Sequence, residues 1–401
     1  MTAAKKESQH LSTSTLWVMT ITTGLVVANL YYNQPLLVDI SHTFKVNSAK
    51  AGQVSVFTQI GYAVGMFFFI PLADMLKRKK MMLIDFGFIV LSLLLAAIAP
   101  NINTLLIASL FIGASSMIPQ LLIPMTAHLA NPHERGKKIG FIMSGLLIGI
   151  LLSRTFSGII AANFGWRSMF YIAAGLMVVM WILVYLLLPE VEPDYKGSYK
   201  NLMLSMVHLI RDEPKLRLAA LRGALCFACF SAFWSTLTFL LKQNFNEGSD
   251  IAGLFGLVGA FGALAVGAMG RLSDKMDPYH LSTFTLSLVI ISFIVFMFSG
   301  HSMVGLIIGV ILMDMGVQAT HISNQAIIFS IKAEARNRIN TIYMVTYFVG
   351  GALGTFIATQ LWHNYQWTGV CVLSIAISTI ALVMHLFNRK KIQSRPAIVQ
   401  S

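Results

Sequence analysis

Residues 169–188 read MFYIAAGLMVVMWILVYLLL, a continuous run without a charged side chain. A helix needs about 20 mainly apolar residues to cross the hydrocarbon core of a bilayer, so this run is long enough for one crossing. Similar runs recur along the 401 residues, of which 56% are hydrophobic and only 11% are charged. A soluble protein carries about 25% charged residues. The pattern favours a polytopic helical membrane protein over a large water-soluble enzyme with buried helices.

The apolar runs predict an all-α membrane protein with twelve transmembrane helices. The spans lie at 15–38, 51–73, 81–99, 104–128, 138–163, 166–188, 217–241, 251–271, 280–299, 303–330, 339–362 and 367–388. The predicted organisation is a tail at 1–14, an N-terminal six-helix bundle at 15–189, a linker with an amphipathic helix at 190–216, a C-terminal six-helix bundle at 217–388 and a tail at 389–401.

Positive charge is distributed unevenly between the two sides of these spans. Most of the 29 Lys and Arg residues fall on the side of the chain ends, whereas the opposite side carries Lys45, Lys50, Arg167 and Lys242. Cytoplasmic segments of membrane proteins are enriched in Lys and Arg, so both termini are expected in the cytoplasm. The net charge of +13 is thus explained by topology, and nucleic acid is not an expected partner. We expect a multi-pass membrane protein.

The segment Ile311–Gln325, ILMDMGVQATHISNQ, places polar side chains inside an apolar span. A charged side chain at the centre of a transmembrane helix costs roughly 2.5–3.5 kcal/mol, and such residues mark substrate or ion pathways. Asp314 is therefore the candidate proton carrier. Arg154 is expected to be the only cation deep in a span, at a depth similar to that of Asp314. Because a buried charge is costly without a partner, we predict that the two interact, directly or through water, in at least one state. The alternative is that Arg154 extends to the outer interface.

Several short features recur at an offset of 200 or 201 residues. They are Asp74 with Asp274, Glu134 with Glu334, Trp166 with Trp367, and Ala51-Gly52 with Ala252-Gly253. Repetition at one offset indicates an internal duplication of a six-span unit. Two parallel halves related by an axis along the membrane normal are a transporter architecture, with the substrate site near the midplane between them.

Residues 28–37, ANLYYNQPLL, residues 70–80, IPLADMLKRKK, and residues 334–341, EARNRINT, resemble the major facilitator superfamily, specifically its twelve-span drug:proton antiporters and a bacterial efflux-permease branch. The family's loop motif, G-x-x-x-D-R-x-G-R-R/K, is incomplete here. Asp74 matches its acid, and Arg78 and Lys79 match its basic pair. Ile70, Met75 and Lys77 replace the first Gly, an Arg and the second Gly, respectively. The Arg usual in span 4 is also absent, with Ser109 at its position.

This resemblance implies a gate on the cytoplasmic side, because the motif of the family holds the ends of spans 2 and 11 together. The implied gating residues are Asp74, Arg78, Asp274, Arg336 and Arg338. The alternative is that the basic residues 77–80 serve only to set the topology. Asp85, in span 3, is expected to be an anchor at the membrane interface.

Polar and aromatic side chains in several spans are candidates for a substrate cavity. They are Asn29, Tyr32, Gln120, Trp234, Gln318, His321, Tyr343 and Tyr347. His321 lies two turns from Asp314, where it can relay protons or form a hydrogen bond that supports packing. The three cysteines lie in apolar spans and are expected to pack there.

The leading functional prediction is a proton-coupled secondary transporter that exports small amphipathic compounds by alternating access. The alternative is an uptake symporter or facilitator for a sugar or small organic acid, with Arg154 binding an anionic group. The sequence contains no metal-ligand set, no nucleophile–base pair and no phosphate-binding loop, so we expect no enzymatic activity, no cofactor and no metal.

Overall fold

The computed structural model describes residues 11–131, 133–191, 193, 197–273, 278–332 and 335–393. The described residues form helices and no strands, which confirms the predicted all-α class. In chain order these are α1 Thr13–Ala28, a 3-10 turn Gln34–Leu36, α2 Leu37–Phe44, α3 Ser48–Ala73, α4 Arg78–Ala97, α5 Ile102–Ala114, α6 Ile118–Leu129, α7 Arg135–Phe164, α8 Trp166–Leu187, α9 Tyr199–Asp212, α10 Pro214–Phe245, α11 Ser249–Ser273, α12 Pro278–Phe298, α13 Met303–Phe329 and α14 Arg336–Gln393.

Nine helical stretches of the described chain are long and apolar enough to cross a membrane, and Thr13–Ala28 and Ser249–Gly262 are shorter apolar helices. The last stretch, Arg336–Asn388, has 53 residues. At 1.5 Å per residue it would be about 80 Å long as a straight helix, far more than one crossing of a bilayer core about 30 Å thick. The backbone at Gln366 is not helical, with φ 54°, so this element contains two crossings that meet at a bend.

Span 4 consists of two helices. Helix α5 ends at Ala114, and α6 begins at Ile118 with Pro119 in its first turn. Proline lacks a backbone N–H, so it is tolerated in the first turn of a helix and not in its interior. Span 4 is therefore broken between Ala114 and Ile118.

Span 1, predicted at 15–38, is interrupted after Ala28. Helix α1 ends at Ala28, and Asn29 caps it. Pro35 disfavours helical backbone at the preceding residue and cannot donate a backbone hydrogen bond, so the chain passes through a 3-10 turn before α2 begins. The interruption frees the amide side chains of this segment for other partners. Asn33, for example, accepts a hydrogen bond from Ser55 of α3.

Glycines bring helices α1 and α7 into close contact. A methyl group added at Gly149 would overlap the carbonyl oxygen of Gly24, and one at Gly145 would lie 2.5 Å from the carbonyl oxygen of Thr20. Small residues of this kind let transmembrane backbones approach closely. Gly145 and Gly149 therefore form the face of α7 that packs against α1.

The two six-helix halves are joined at one end of the molecule. We call the end with Thr13 and Gln393 the termini side, and the opposite end the far side. Toward the far side, the Thr155 hydroxyl donates to the carbonyl of Gly253 at 3.0 Å. The Thr238 hydroxyl donates to the carbonyl of Pro35 at 3.2 Å. These bonds connect α7 with α11 and α10 with the 3-10 turn, so they close the far side.

Helix α7 stands apart from its neighbours toward the termini side. Between Arg135 and Leu152, Ile142 is its one buried residue, whereas burial is frequent from Ser153 onward. Gly136 and Gly140 have no described atoms within 4 Å of an added methyl group. Along α7, the junction of the halves is therefore packed on the far side and loosely packed on the termini side.

Candidate functional site

Asp314 lies in the middle of α13 and is only 1% exposed. Its burial follows from the glycines of α11, because a methyl group added at Gly262 would lie 2.9 Å from the Cβ of Asp314, and one at Gly259 would lie 3.1 Å from its Oδ2. Among the described residues Oδ2 has no hydrogen-bond partner. A buried polar atom without a partner is costly, and such atoms often mark a functional role.

Arg154 lies in α7, in the other half of the molecule, and is also 1% exposed. Its Nε donates to Oε1 of Gln34 at 2.7 Å. The guanidinium lies 4.1 Å from the ring centre of Trp234, 4.9 Å from that of Tyr31 and 5.4 Å from that of Phe230. Aromatic faces attract a guanidinium and stabilise it away from water. Its Nη2 has no hydrogen-bond partner among the described residues.

Trp234 connects these two charged groups. Its Cζ2 lies 3.3 Å from the point where a methyl group on Gly259 would sit, and Oδ2 of Asp314 lies 3.1 Å from the same point. Arg154 and Asp314 carry opposite charges, yet Nη2 of Arg154 and Oδ2 of Asp314 have no hydrogen-bond partner among the described residues. The indole Nε1 of Trp234 also has no hydrogen-bond partner among the described residues. Two unpaired donors and one unpaired carboxylate oxygen therefore lie around one indole at the junction of the halves.

Gln59 adds a further polar group to the junction. Its Nε2 donates to Ser231 at 3.5 Å, which connects α3 with α10, and its Oε1 has no hydrogen-bond partner among the described residues. A methyl group added at Gly351 would lie 2.8 Å from that oxygen. The polar lining therefore includes residues from both halves.

Three of the predicted cavity residues form an aromatic and imidazole cluster toward the termini side. His321 Nδ1 lies 2.9 Å from the hydroxyl of Tyr343, and the ring centres of His321 and Tyr347 are 5.0 Å apart. Gln318, one turn from Asp314, is half-buried. All four residues belong to α13 or α14, so they form the C-terminal wall of the junction.

The predicted cavity residues of the N-terminal half are more dispersed. Asn29 donates to the carbonyl of Val26 at 3.2 Å and to the sulfur of Met177 at 3.5 Å, inside its own half. Tyr32 is buried. Gln120 donates to the hydroxyl of Tyr62 at 3.3 Å.

The predicted gating residues lie at the termini side, apart from Asp274, which is outside the described residues. Asp74 follows α3 as its C-cap, and Arg78 begins α4 and is buried. Arg336 donates to the carbonyl of Phe329 at 3.2 Å, and Arg338 donates to the hydroxyl of Ser205 at 2.8 Å. The two span 11 arginines thus contact α13 and the linker helix α9, and a contact that closes the gate stays a prediction.

Arg222 corrects the prediction that Arg154 is the only cation deep in a span. It lies in α10 and is 1% exposed. Its Nε donates to Oδ1 of Asn324 at 2.7 Å, its Nη2 also donates to that atom, and its Nη1 lies 2.8 Å from Nδ1 of His385. Helix α10 begins at Pro214, so Arg222 lies about 12 Å along it. Arg222 lies close to the predicted start of span 7, so the sequence pattern alone assigns its charge to the cytoplasmic side.

Other features were also missed or misjudged from the sequence. Gln34, Tyr31 and Phe230 contact the guanidinium of Arg154, although only their polar or aromatic character marked them. Asp85, expected as an interfacial anchor, has a buried Oδ2 without a hydrogen-bond partner among the described residues. The reason is that α4 is oriented with this carboxyl toward the protein. Because α4 is apolar on almost all sides, the spacing of its apolar residues does not reveal this orientation.

Comparisons with known proteins agree with this architecture. The family model of the Major Facilitator Superfamily matches residues 19–355. The chain is 39% identical over 379 residues to the uncharacterized transporter YgaY of Escherichia coli O157:H7, covering 94% of this chain and 95% of YgaY.

Two solved structures are similar in fold at 14% sequence identity. One is a bacterial homolog of the human lysosomal transporter Spinster in an inward-facing, unoccupied conformation, with a TM-score of 0.79 over 98% of this chain and 100% of that chain. The other is a mutant of the nucleoside transporter NupG, with a TM-score of 0.77 over 93% of this chain and 99% of that chain. The family match over most of the chain and the similarity to YgaY establish that this chain belongs to the Major Facilitator Superfamily.

Proposed function

We propose that this membrane transporter exports small amphipathic compounds in exchange for protons, with Asp314 as the proton carrier and Arg154 as its charge partner. The observation that carries the proposal is the pair of unsatisfied charged groups, one from each half, against Trp234. Alternating access moves the two halves relative to each other, so it changes the distance between these groups. We further propose a monomer in a bacterial inner membrane, with the termini side facing the cytoplasm.

Protonation changes the energy of this junction in a definite direction. A charged Asp314 attracts Arg154 across the interface, and a protonated Asp314 does not. A carboxyl in an apolar setting favours its neutral form, whereas a nearby cation favours the charged form. An approach of the halves that brings the guanidinium closer therefore releases the proton, and their separation favours its return. This supplies the link between protonation and conformation that antiport requires.

Export by antiport requires the substrate and the proton to compete. Oδ2 of Asp314 is a carboxylate acceptor without a partner in the described site, so a substrate with a hydrogen-bond donor or a positive charge would occupy the position of the proton. The rings of Tyr31, Phe230 and Trp234 offer a wall for its apolar part. An amphipathic compound matches this site, because its polar group can bind the carboxylate and its apolar part can contact the aromatic rings.

The proposal is tested with purified protein in liposomes. A thermal-shift panel of cationic dyes, antibiotics, sugars and aromatic carboxylates first identifies a compound that binds. Flux of that compound and of protons is then measured for the wild type, Asp314→Asn and the control Asp250→Asn, an acid at the far end of α11. We expect Asp314→Asn to lose proton coupling and the control to retain it. Unchanged coupled transport in Asp314→Asn would show that the carrier assignment is wrong.

A second candidate function is proton-coupled transport of an organic anion. It is favoured by the two unpaired donors, Nη2 of Arg154 and Nε1 of Trp234. The Arg154–Asp314 pair is neutral when both are charged, so an added anion would leave one uncompensated negative charge in a buried site. Protonation of Asp314 removes that cost, and anion and proton would therefore bind together, as in a symporter.

The direction of proton movement separates the two functions. In liposomes loaded with a pH indicator, an exported substrate moves against protons, and an anionic substrate moves with them. If protons and the bound compound move in the same direction, export by antiport is rejected in favour of symport.

A further inference from the structure

The linker helix α9, Tyr199–Asp212, has apolar side chains on two adjoining faces. One face packs on the protein through Leu202, Met206 and Leu209, which recur at spacings of four and three residues. This spacing places the three residues on one side of a helix. It accounts for how α9 is held against the transporter but not for its remaining apolar residues.

A second apolar stripe lies beside the first and points away from the protein. It consists of the exposed residues Leu204, Val207 and Ile210. Val207 is 58% exposed and Leu204 is 45% exposed. A continuous exposed apolar stripe indicates contact with another apolar phase. A helix with one such stripe and a polar remainder is typical of helices that lie in the interface of a bilayer.

Two exposed cations border the stripe at its ends. Lys200 lies four residues before Leu204, and Arg211 lies four residues after Val207. Residues four apart are neighbours on a helix surface, so both cations lie along the stripe and can reach the headgroups of a membrane that contacts it.

The opposite flank of α9 is polar. Ser205, His208 and Asp212 line a cleft of about 200 Å³ together with Lys332 and Arg338. The helix therefore presents an apolar, basic-flanked side and a polar side, which gives it one orientation relative to a bilayer.

Contacts with both halves place α9 beside surfaces that face lipid. The hydroxyl of Tyr199 donates to the carbonyl of Phe68 at 3.0 Å, near the termini end of α3, where the side chain of Phe68 is exposed. Arg338 of α14 donates to Ser205 at 2.8 Å. The N-terminal end of α9 thus lies beside an exposed apolar residue of α3.

We propose that α9 is a docking surface for anionic phospholipid on the termini side. Its stripe enters the boundary between headgroups and acyl chains, and Lys200 and Arg211 bind the headgroups. Each Lys or Arg near an anionic bilayer surface strengthens binding about fivefold. The surface acts through lipid composition and is independent of the proton site, and its contacts with α3 and α14 make the lipid a partner of both halves.

The test compares two consecutive exposed positions of α9, one in the apolar stripe and one in the polar flank about 100° around the helix. Val207→Cys and His208→Cys are each labelled with a fluorophore in the full-length protein, whose three native cysteines are buried. The proteins are reconstituted into phosphatidylcholine vesicles with or without phosphatidylglycerol, and with lipids that carry a shallow spin-label quencher. We expect strong quenching at position 207, increased by phosphatidylglycerol, and little quenching at position 208.

A charge variant tests the role of the headgroup. Combining Lys200→Gln with Arg211→Gln in the labelled Val207→Cys protein should lower the ratio of docked to undocked helix about 30-fold in phosphatidylglycerol vesicles. The control combines Lys45→Gln with Lys50→Gln on the far side and should leave it unchanged. Size-exclusion profiles and the label at position 208 establish that each variant is folded. Equal quenching at positions 207 and 208, or quenching at 207 that is insensitive to phosphatidylglycerol, would overturn the proposal.

Discussion

Arg154 and Arg222 are two fully buried arginines in different surroundings. Arg222 lies within the C-terminal half, and its guanidinium bonds Asn324 of α13 and His385 of α14. Arg154 lies at the junction of the halves, bonds Gln34 and stacks on Trp234, and leaves Nη2 without a partner among the described residues. Burial alone does not distinguish a structural arginine from a functional one. The two differ in whether the N–H groups of the guanidinium have hydrogen-bond partners.

The difference has a physical meaning. A buried guanidinium with its donors bonded inside one half stabilises that half, because removing it leaves its acceptors unpaired. A buried guanidinium with a free donor between two halves carries an unmet interaction in this state, which a substrate or another conformation can satisfy. We therefore assign stability to Arg222 and transport to Arg154, and the following predictions test that division.

The largest expected effect is on stability. Arg222→Ala removes both hydrogen bonds to Oδ1 of Asn324 and the contact with Nδ1 of His385, and an unpaired buried acceptor costs about 1–3 kcal/mol. We expect the free energy of unfolding to fall by about 3 kcal/mol, measured by thermal unfolding in detergent. A fully stable Arg222→Ala protein would contradict the structural role of this residue.

Arg154→Gln should show the opposite profile. It removes the hydrogen bond to Gln34 and the contacts with three aromatic rings, but it also removes the cost of burying a charge, so the expected loss of stability is about 1 kcal/mol. Transport should fall about 30-fold or more, since truncating one partner of a buried charge pair costs roughly 2 kcal/mol or more. Flux into liposomes and thermal unfolding are measured on the same preparation. Intact transport, or a stability loss as large as that of Arg222→Ala, would remove the distinction between the two arginines.

A smaller effect is expected from crowding Asp314. In Gly259→Ala the added methyl lies 3.1 Å from Oδ2, so the carboxyl must shift by a few tenths of an ångström. Overpacking of this degree costs about 1 kcal/mol, and we expect proton-coupled flux to fall about fivefold. Gly140→Ala is the matched control, because its methyl meets no described atom within 4 Å. Equal flux in the two variants would show that the position of the carboxyl is not critical.

The smallest expected effect concerns the closed far side. Asp39 of α2 lies next to Ser249 of α11. Burial raises the pKa of the Asp39 carboxyl above its ordinary value, and the negative charge of Asp250 raises it further. The hydrogen bond with Ser249 and the charges of His42 and Lys242 lower this pKa but do not cancel the effect of burial. When the far side opens, the carboxyl meets water and its pKa returns toward the ordinary value of 3.8. The closed form therefore binds the proton more tightly.

The closed form of the far side should thus become more stable relative to the open form as the pH falls through the raised pKa of Asp39. This gain in stability is complete below the ordinary pKa of 3.8. Because this carboxyl is partly exposed, we expect a shift of less than about fivefold in the closed-to-open ratio. Asp39→Asn should abolish the shift, as measured by the accessibility of a cysteine placed on the far side. A wild-type pH profile in Asp39→Asn would show that another group titrates.

The sequence was sufficient for features that depend on local composition. Apolar runs long enough to cross a bilayer predicted the helical class, and the cost of a carboxylate in such a run marked Asp314. Gly145 and Gly149 permit a close helix contact because neither has a side chain, and this property is visible in the sequence without knowledge of the partner helix.

The remaining features depend on the rotation and depth of helices relative to one another. Gln34 meets Arg154 only because span 1 unwinds after Ala28, and Arg222 is buried because α10 begins at Pro214. In a helix that is apolar on all sides, residue spacing does not indicate which side faces protein and which faces lipid. That information resides in the tertiary contacts.

The most direct measurement of the central proposal follows the distance between the halves as a function of pH. Spin labels at Gly140→Cys of α7 and Ala326→Cys of α13 report this distance on the termini side, and the native cysteines are buried. We predict that the wild-type distance distribution changes with pH and that Asp314→Asn holds the distribution of the protonated form at every pH. A pH-dependent change that persists unaltered in Asp314→Asn would contradict the role of Asp314 as the group that couples protons to conformation.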